Sequence, residues 1–549
     1  MRMAVALLVH VFAVCAGLLP PSTVRAFSLT GGTWPSDSLT YMVNGSSFVS
    51  NLAGPTLDAT GYEWWIAWSW SQWRERTGAS FTFTHGGSTA TPCNVANGTS
   101  EVAARSGCDV WNPSGVTCNA WARTFGRRNP LNLSNIVESD TCIFSQIGTV
   151  RPTDVLWRTK TAGMTTAEKD LPGILVHEFG HGLGLGHTTG TVMQANTYGN
   201  GNTLARFPYG DDILGIQSLY PARTGEFRRW RPYSNGIWGP EVTVTTNDVT
   251  TPTEVVEALT PTGYKFISTF VRPTGGRVYF SRTNSPLTAG SAWVQTSVDG
   301  DAWRPPAVAG RWGGLYGSLQ VAAWPLSPTT SACNGMRIAR STDAFASASF
   351  STEIGVCSAN SPALAFDYHS GYFVMIYTNQ ELDGSANPGS TDRLLGRTST
   401  DGLVWSAAQD LGIYSTDAPS LSCLGFMDCI LGYTRGSTEI PFQLTREIGI
   451  VPATGAITLG AWAGSTNLLQ RRPSVVTVDA AGSSLHHLAM SWTTTLTSLA
   501  NGIGRIWTTT SWTNPISSFN WLNTSVDTPH APTLTGSQVL GDAYLFYVR

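Results

Sequence analysis

The sequence predicts a multidomain chain, with an α+β unit in its first 222 residues and an all-β unit of repeats after it. Three observations lead there. Residues 177–187 place histidines and glycines at the spacing of a helix that ends in a sharp turn. Beyond residue 223 a turn-and-strand pattern recurs with a mean spacing of about 56 residues. The chain has 549 residues, too many for one ordinary core. Charged residues make up only 13%, while glycine (57) and tryptophan (21) are abundant, which favours β-structure with tight turns over helical bundles or disorder. A formal net charge of −3 supplies no polycationic surface, so nucleic acid and anionic membranes are not the expected partners.

The first 26 residues read as a secretory signal peptide. Arg2 gives the positive region, Met3 to Leu19 the apolar run, and Val24-Arg25-Ala26 the small-x-small cleavage site. The apolar run is short for a membrane anchor and is followed at once by Pro20-Pro21; an uncleaved anchor is the alternative. No other stretch is long and apolar enough to span a bilayer, so the expectation is a secreted, extracellular protein.

Within residues 27–222, Leu39-Thr40-Tyr41-Met42-Val43 alternates as a strand, and Tyr62 to Arg76 carries tryptophans at helical spacing. These tryptophans read as core rather than as a binding platform. Phe81-Thr82-Phe83 is expected to be a second strand and Thr153 to Trp157 a third, leading toward the helix that holds residues 177–187. Asp170-Leu171-Pro172 supplies that helix with an N-terminal acid and a proline ahead of Ile174-Leu175-Val176. His177 and His181 are four apart, so both imidazoles project from one face. Gly184 permits the exit that brings His187 back as a third ligand. Three protein ligands leave one position open for water, the arrangement of a catalytic zinc site. Glu178 lies beside the first ligand, where its carboxylate can take a proton from that water.

The segment from His177 to His187 reads H-E-x-x-H-x-x-G-x-x-H, the long zinc signature of the metzincins. Trp34, Leu39-Thr40-Tyr41, the tryptophan-bearing helix, Phe81-Thr82-Phe83 and the closing segment Asp211 to Tyr220 extend the likeness, so residues 27–221 resemble a matrixin-type metzincin. The resemblance implies a sheet-and-helix domain cut by a cleft, with endopeptidase activity on protein or peptide substrates and one catalytic Zn2+. It also implies that Met193 forms the Met-turn beneath the metal and that the loop from Ala195 to Tyr209 shapes the specificity pocket. The gap from His187 to Met193 is short for the family, and Thr188 stands where serine is usual; Tyr198 is not spaced to join the site. Apart from the three ligands, His85 is the one histidine in residues 27–222, so the family's second, structural zinc is not expected. Ca2+ stays open, through backbone carbonyls and scattered aspartates. Only about seven residues separate the expected cleavage point from Trp34, which leaves no propeptide or cysteine to cap the metal. Asp211 and Asp212 could pair with the ammonium of a new N-terminal Phe27, or simply complement the helix dipole.

Eight cysteines follow the signal segment, an even number that reads as disulfides in an exported chain. Cys93, Cys108, Cys118 and Cys142 allow three pairings; Cys423 and Cys429 flank a hairpin turn they could bridge, which leaves Cys333 with Cys357. A cysteine–zinc cluster is the alternative for the first four, but no C-x-x-C occurs.

In residues 223–549 a small-residue turn followed by tryptophan recurs at Ser234 to Trp238, Ser297 to Trp303 and Ser399 to Trp405, with a weaker copy at Ser341-Thr342-Asp343. Hairpins begin near Pro252, Gly317, Pro362, Pro419, Pro473 and Pro532. Four strands per repeat, six times, predict a six-bladed β-propeller, the two ends of this region completing one blade together. Five blades, or an irregular pair of β-sandwiches, are the alternatives. The turn resembles a shortened Asp-box of sialidase-like propellers, in which Asp binds backbone amides and Trp packs between blades. Such turns are structural, so sialidase activity does not follow. His486-His487 reads as part of a hairpin turn. The expected role of this unit is to dock a glycan, protein or cell-surface ligand; a stabilising or spacing domain is the alternative. The competing reading of the whole chain is a secreted binding protein with a vestigial protease domain.

Overall fold

The computed structural model describes residues 27–548 apart from 108–119, 148–152, 161–163, 196–203, 224–227, 244–253, 272–276, 285–292, 312–317, 327–334, 380–391, 424–428, 437–441, 465–469, 494–498, 512–521, 529–532, 537–542 and shorter loop gaps. Cys108, Cys118, Cys333, Cys357 and Tyr198 therefore lie outside the described residues.

In the first region five strands form one sheet in the order β2-β1-β3-β5-β4. They are β1 (Ser38–Asn44), β2 (Thr82–Ser88), β3 (Ser100–Arg105), β4 (Ala122–Asn129) and β5 (Asn132–Phe144). All pair in parallel except β4, which runs antiparallel to β5 along one edge. Of the three expected strands, 39–43 and 81–83 lie in or at the start of β1 and β2. The third does not join this sheet: it splits into two short pieces, Thr153–Asp154 and Leu156–Arg158, paired elsewhere. Polar residues conceal β3 and β5 in the sequence. Glu101, Glu138 and Asp140 are all buried there, with Arg127 of β4 beside Glu138 and Asp140.

Among the described residues four α-helices accompany the sheet: α1 (Gly45–Asn51), α2 (Ala59–Thr77), α3 (Leu171–Gly182) and α4 (Asp211–Leu219). Asp58 caps α2 by accepting from the Gly61 amide, and Gly78, at φ 66°, ends it in the left-handed region. Sixteen of its 19 residues are buried, so α2 has no solvent stripe; it packs against the other three helices. Trp64, Trp65, Trp68, Trp70 and Trp73 are core, as expected. Trp70 stacks on Phe179 of α3 with ring centroids 3.7 Å apart, and Trp73 Nε1 donates to the Val176 carbonyl at 2.8 Å. A Cys93–Cys142 disulfide ties the chain after β2 to β5.

The second region contains five four-stranded antiparallel sheets, spanning 254–298, 307–353, 363–414, 420–464 and 470–528. A sixth sheet joins both ends of the region: Arg228–Ser234 lies between Ile237–Trp238 and Ala543–Val548, and Thr533–Gly536 pairs on the far side of Ala543–Val548. The first strands of successive sheets pack on one another. The last of them, Thr533–Gly536, also packs on the first, Glu254–Thr260, so the six sheets close a propeller-like ring. Five of the six expected starts fall at or just before such a first strand. Gly317 does not; it precedes a second strand, because the first strand of that sheet, Ala307–Arg311, follows Pro305-Pro306. His486 and His487 lie in a strand opposite Val478 and Thr477 rather than in the turn. Cys423 and Cys429 are bonded across their hairpin, as expected.

The aspartate turns behave as their sequence suggests. Asp401 Oδ1 accepts from the Leu403 and Val404 amides at 2.9 and 3.0 Å, and Ser399 Oγ accepts from Gly402 N. Trp405 packs against the core between the second and third sheets. In the weaker copy Phe345 takes the place of tryptophan, buried and stacked on Phe280 at 4.1 Å. In the other two copies Asn235, Gly236, residues 299–301 and Trp303 lie outside the described residues. Gly402 has φ +74°, and a Cβ there would sit 2.3 Å from Val321 Cγ2 of the neighbouring sheet. Gly402→Ala is expected to destabilise the protein by about 1–3 kcal/mol, from overpacking and a strained φ together. Its thermal midpoint should fall measurably below wild type; an unchanged midpoint would mean the turn does not pack between sheets.

Candidate metal centre

The centre is built on α3 and the turn that follows it. Asp170 caps α3 by accepting from Gly173 N at 3.0 Å, and Pro172 lies in the first turn, where a missing N–H costs nothing. At the other end Trp34 Nε1 donates to Gly182 O at 2.9 Å and Tyr220 Oη to Leu183 O at 2.8 Å, so the last carbonyls of the helix are satisfied. Gly184 has φ +104°, and a Cβ there would meet the Gly32 carbonyl oxygen at 2.4 Å. Only glycine fits a turn this tight, and the turn returns the chain so that His187 faces α3.

His177, His181 and His187 each offer a ring nitrogen, all within 4.8 Å of one another. They form the cluster of three or more potential ligands found among the described residues. His177 Nδ1 is bonded to Val192 O at 2.7 Å and His181 Nδ1 to Leu185 O at 2.8 Å. Each bond to a carbonyl places the proton on Nδ1 and leaves Nε2 as a lone-pair donor toward the centre of the cluster. His181 Nε2 and His187 Nε2 stand 3.1 Å apart. Burial, reinforced by the neighbouring imidazoles, pushes His177 down to about 3. Burial also lowers His181 and His187. All three rings are held neutral, the state in which imidazole binds a cation. Three neutral nitrogen donors on one point, with no carboxylate in the set, fit a zinc-like divalent ion with an open position.

Glu178 is buried next to the cluster, and Thr124 of the edge strand β4 donates from its hydroxyl to Oε2 at 2.8 Å. Burial pushes the Glu178 carboxyl up to about 7, against the opposing pull of Thr124 and Arg123. A carboxyl near neutrality is suited to moving a proton in both directions. Met193 is buried directly below α3: a Cβ at Gly180 would lie 2.3 Å from its sulfur. Thr188 N donates to Met193 O at 3.0 Å and closes the turn.

The structure thus brings together all five residues singled out at 177–193. It adds three that the sequence did not reveal. Thr124 is one. Asp212 is the second: it is fully buried, and its carboxylate accepts from Val192 N at 2.8 Å and from Met193 N at 3.4 Å. Because Val192 O holds His177, Asp212 positions that imidazole through one residue of backbone. The first-turn acid was visible in the sequence; its task was not. The third is Arg206, whose Nε and Nη2 clasp Asp170 at 2.9 and 2.5 Å while Nη2 also donates to Thr159 O at 2.7 Å. Both partners are 1% exposed, so this fork pins the loop Leu204–Arg206 to the start of α3.

Among known families, the model described as Matrixin matches residues 124–221, a segment that runs from Thr124 through the three histidines to the end of α4. No curated protein matches the chain. Among solved structures, the six-bladed β-propeller lectin of Aleuria aurantia, described with a fucose recognition mode, is 10% identical, with TM-score 0.32 over 52% of this chain and 85% of that one. AofleA of Arthrobotrys oligospora is 11% identical, with TM-score 0.34 over 54% and 79%. A leech intramolecular trans-sialidase is 12% identical, with TM-score 0.31 over 54% and 41%. Likenesses this weak bear on neither mechanism nor ligand. Among the described residues no helix is long and apolar enough to cross a membrane.

Proposed function

We propose that the chain is an exported zinc-dependent endopeptidase, with residues 27–222 as its matrixin-like catalytic domain and residues 223–549 as a six-bladed β-propeller that docks substrate or surface. The observation that carries the reading is the convergence of three neutral imidazoles on one point, with Glu178 buried beside them. His177, His181 and His187 would hold the ion. When bound, it supplies Lewis-acid polarisation of a scissile carbonyl and acidification of water. Glu178 takes the proton from the attacking water and passes it to the leaving amine, a general base that becomes a general acid. The Thr124 hydroxyl holds one oxygen of Glu178 and leaves the other free for this transfer. Asp212 and Met193 fix the floor on which His177 rests.

The test is cleavage of a peptide library by the purified full chain, with and without a zinc chelator. Cleavage lost to the chelator and restored by added zinc is expected. No chelator-sensitive cleavage would sink the peptidase reading in favour of a binding protein.

A further inference from the structure

The last turn of α2 faces the repeat region. Arg76 is buried, and its guanidinium carbon lies 4.0 Å from the centroid of the Phe207 ring. Its Nε donates to Gln72 Oε1 at 3.2 Å within the helix, and Nη2 reaches Asn360 Oδ1 at 3.5 Å, 284 residues away. Asn360 is itself buried and anchored: Ser358 Oγ donates to its carbonyl at 2.8 Å, and Ser358 meets Thr378 Oγ1 at 3.2 Å. From another repeat, Leu499 and Ala500 are both fully buried, and they belong to the same continuous apolar core as the α2 tryptophans, Ala205 and Phe207.

Two neighbouring side chains of one loop therefore face two masters. Arg206 points inward to the cap of the metal helix, over the Trp65 ring at 5.2 Å. Phe207 packs edge-on against Trp68 at 6.0 Å and lies beneath Arg76, which Asn360 holds. A segment joined in this way to both regions cannot shift on one side without moving the other, because close-packed interiors transmit displacement rather than absorb it.

We propose that the repeat region is a fixed buttress of the catalytic region: Asn360 holds Arg76 over Phe207, Leu499 and Ala500 complete the core in which Phe207 lies, and through Arg206 and Asp170 they set the start of α3, which carries His177 and Glu178. Resting on the peptidase reading above, this makes Leu499 and Asn360 positioning residues for a site they do not touch. It also distinguishes the molecule from a protease that merely trails a flexible docking module, since apolar side chains of one region complete the core of the other.

The experiment uses the full chain and compares wild type with Leu499→Ala and Asn360→Ala. The second variant is the milder and guards against misfolding of the first. Hydrogen exchange by mass spectrometry is read on peptides covering 204–208 and 171–176, and kcat and KM are read on a cleaved peptide. Exchange at 204–208 should quicken by about tenfold or more in Leu499→Ala and less in Asn360→Ala. kcat should fall several-fold, because the helix carrying Glu178 is no longer held, with KM within about twofold of wild type. Faster exchange confined to the surroundings of the substituted residue, with kcat unchanged, would overturn the proposal. Should the wild-type chain cleave nothing, the peptidase reading fails, and the exchange at 204–208 still decides the buttress.

Discussion

Replacing Glu178 with Gln is expected to lower kcat for peptide hydrolysis by about 10²- to 10⁴-fold, the usual contribution of one general acid–base group. The three imidazoles and their carbonyl partners are untouched by the change, so bound metal per chain should stay at the wild-type level. Glutamine keeps the shape and can still accept from the Thr124 hydroxyl. It cannot accept the proton of an attacking water. Steady-state kinetics together with metal analysis check both halves. A variant that keeps its metal and cleaves at nearly the wild-type rate would remove Glu178 from the mechanism.

The largest effect on stability is expected from Arg206→Met. It keeps most of the side-chain volume and leaves the Asp170 carboxylate buried without its partner, a defect that costs about 3–5 kcal/mol. Asp170 also caps α3, so the loss should be felt where the metal helix begins. Denaturant unfolding, followed by tryptophan fluorescence, should show the shift, since Trp65 lies under the guanidinium. Adding Asp170→Asn to Arg206→Met should recover part of it, because asparagine caps a helix without a buried charge. If the single variant unfolds with the wild-type midpoint, the fork is not a structural element of this region.

What could be read in the sequence follows how local each device is. The histidine spacing, the Gly184 turn, the Asp170 cap and the aspartate turns are all written within a dozen residues, and each stands as expected. The tryptophan helix was legible in type, although its burial on every side was not, because that depends on what packs around it. Strands β3 and β5 escaped because Glu101, Glu138 and Asp140 interrupt the apolar alternation that marks a strand. In the repeat region the start expected at Gly317 misses the first strand of its sheet, which follows Pro305-Pro306 instead. Arg206 with Asp170, Thr124 with Glu178 and Asp212 with Val192 join residues 20 to 54 positions apart. No spacing rule reaches across such gaps; only the fold brings the pairs together.

On the proposed function, one ion on His177, His181 and His187 drives peptide hydrolysis. Titration of the metal-free full chain with zinc, with peptide cleavage followed at each step, tests it most directly. Activity should be absent at the start, rise with the first equivalent bound and then level off, and it should be lost when His187 is replaced by Ala. Cleavage by the metal-free chain, or none after one equivalent of zinc has bound, would contradict it.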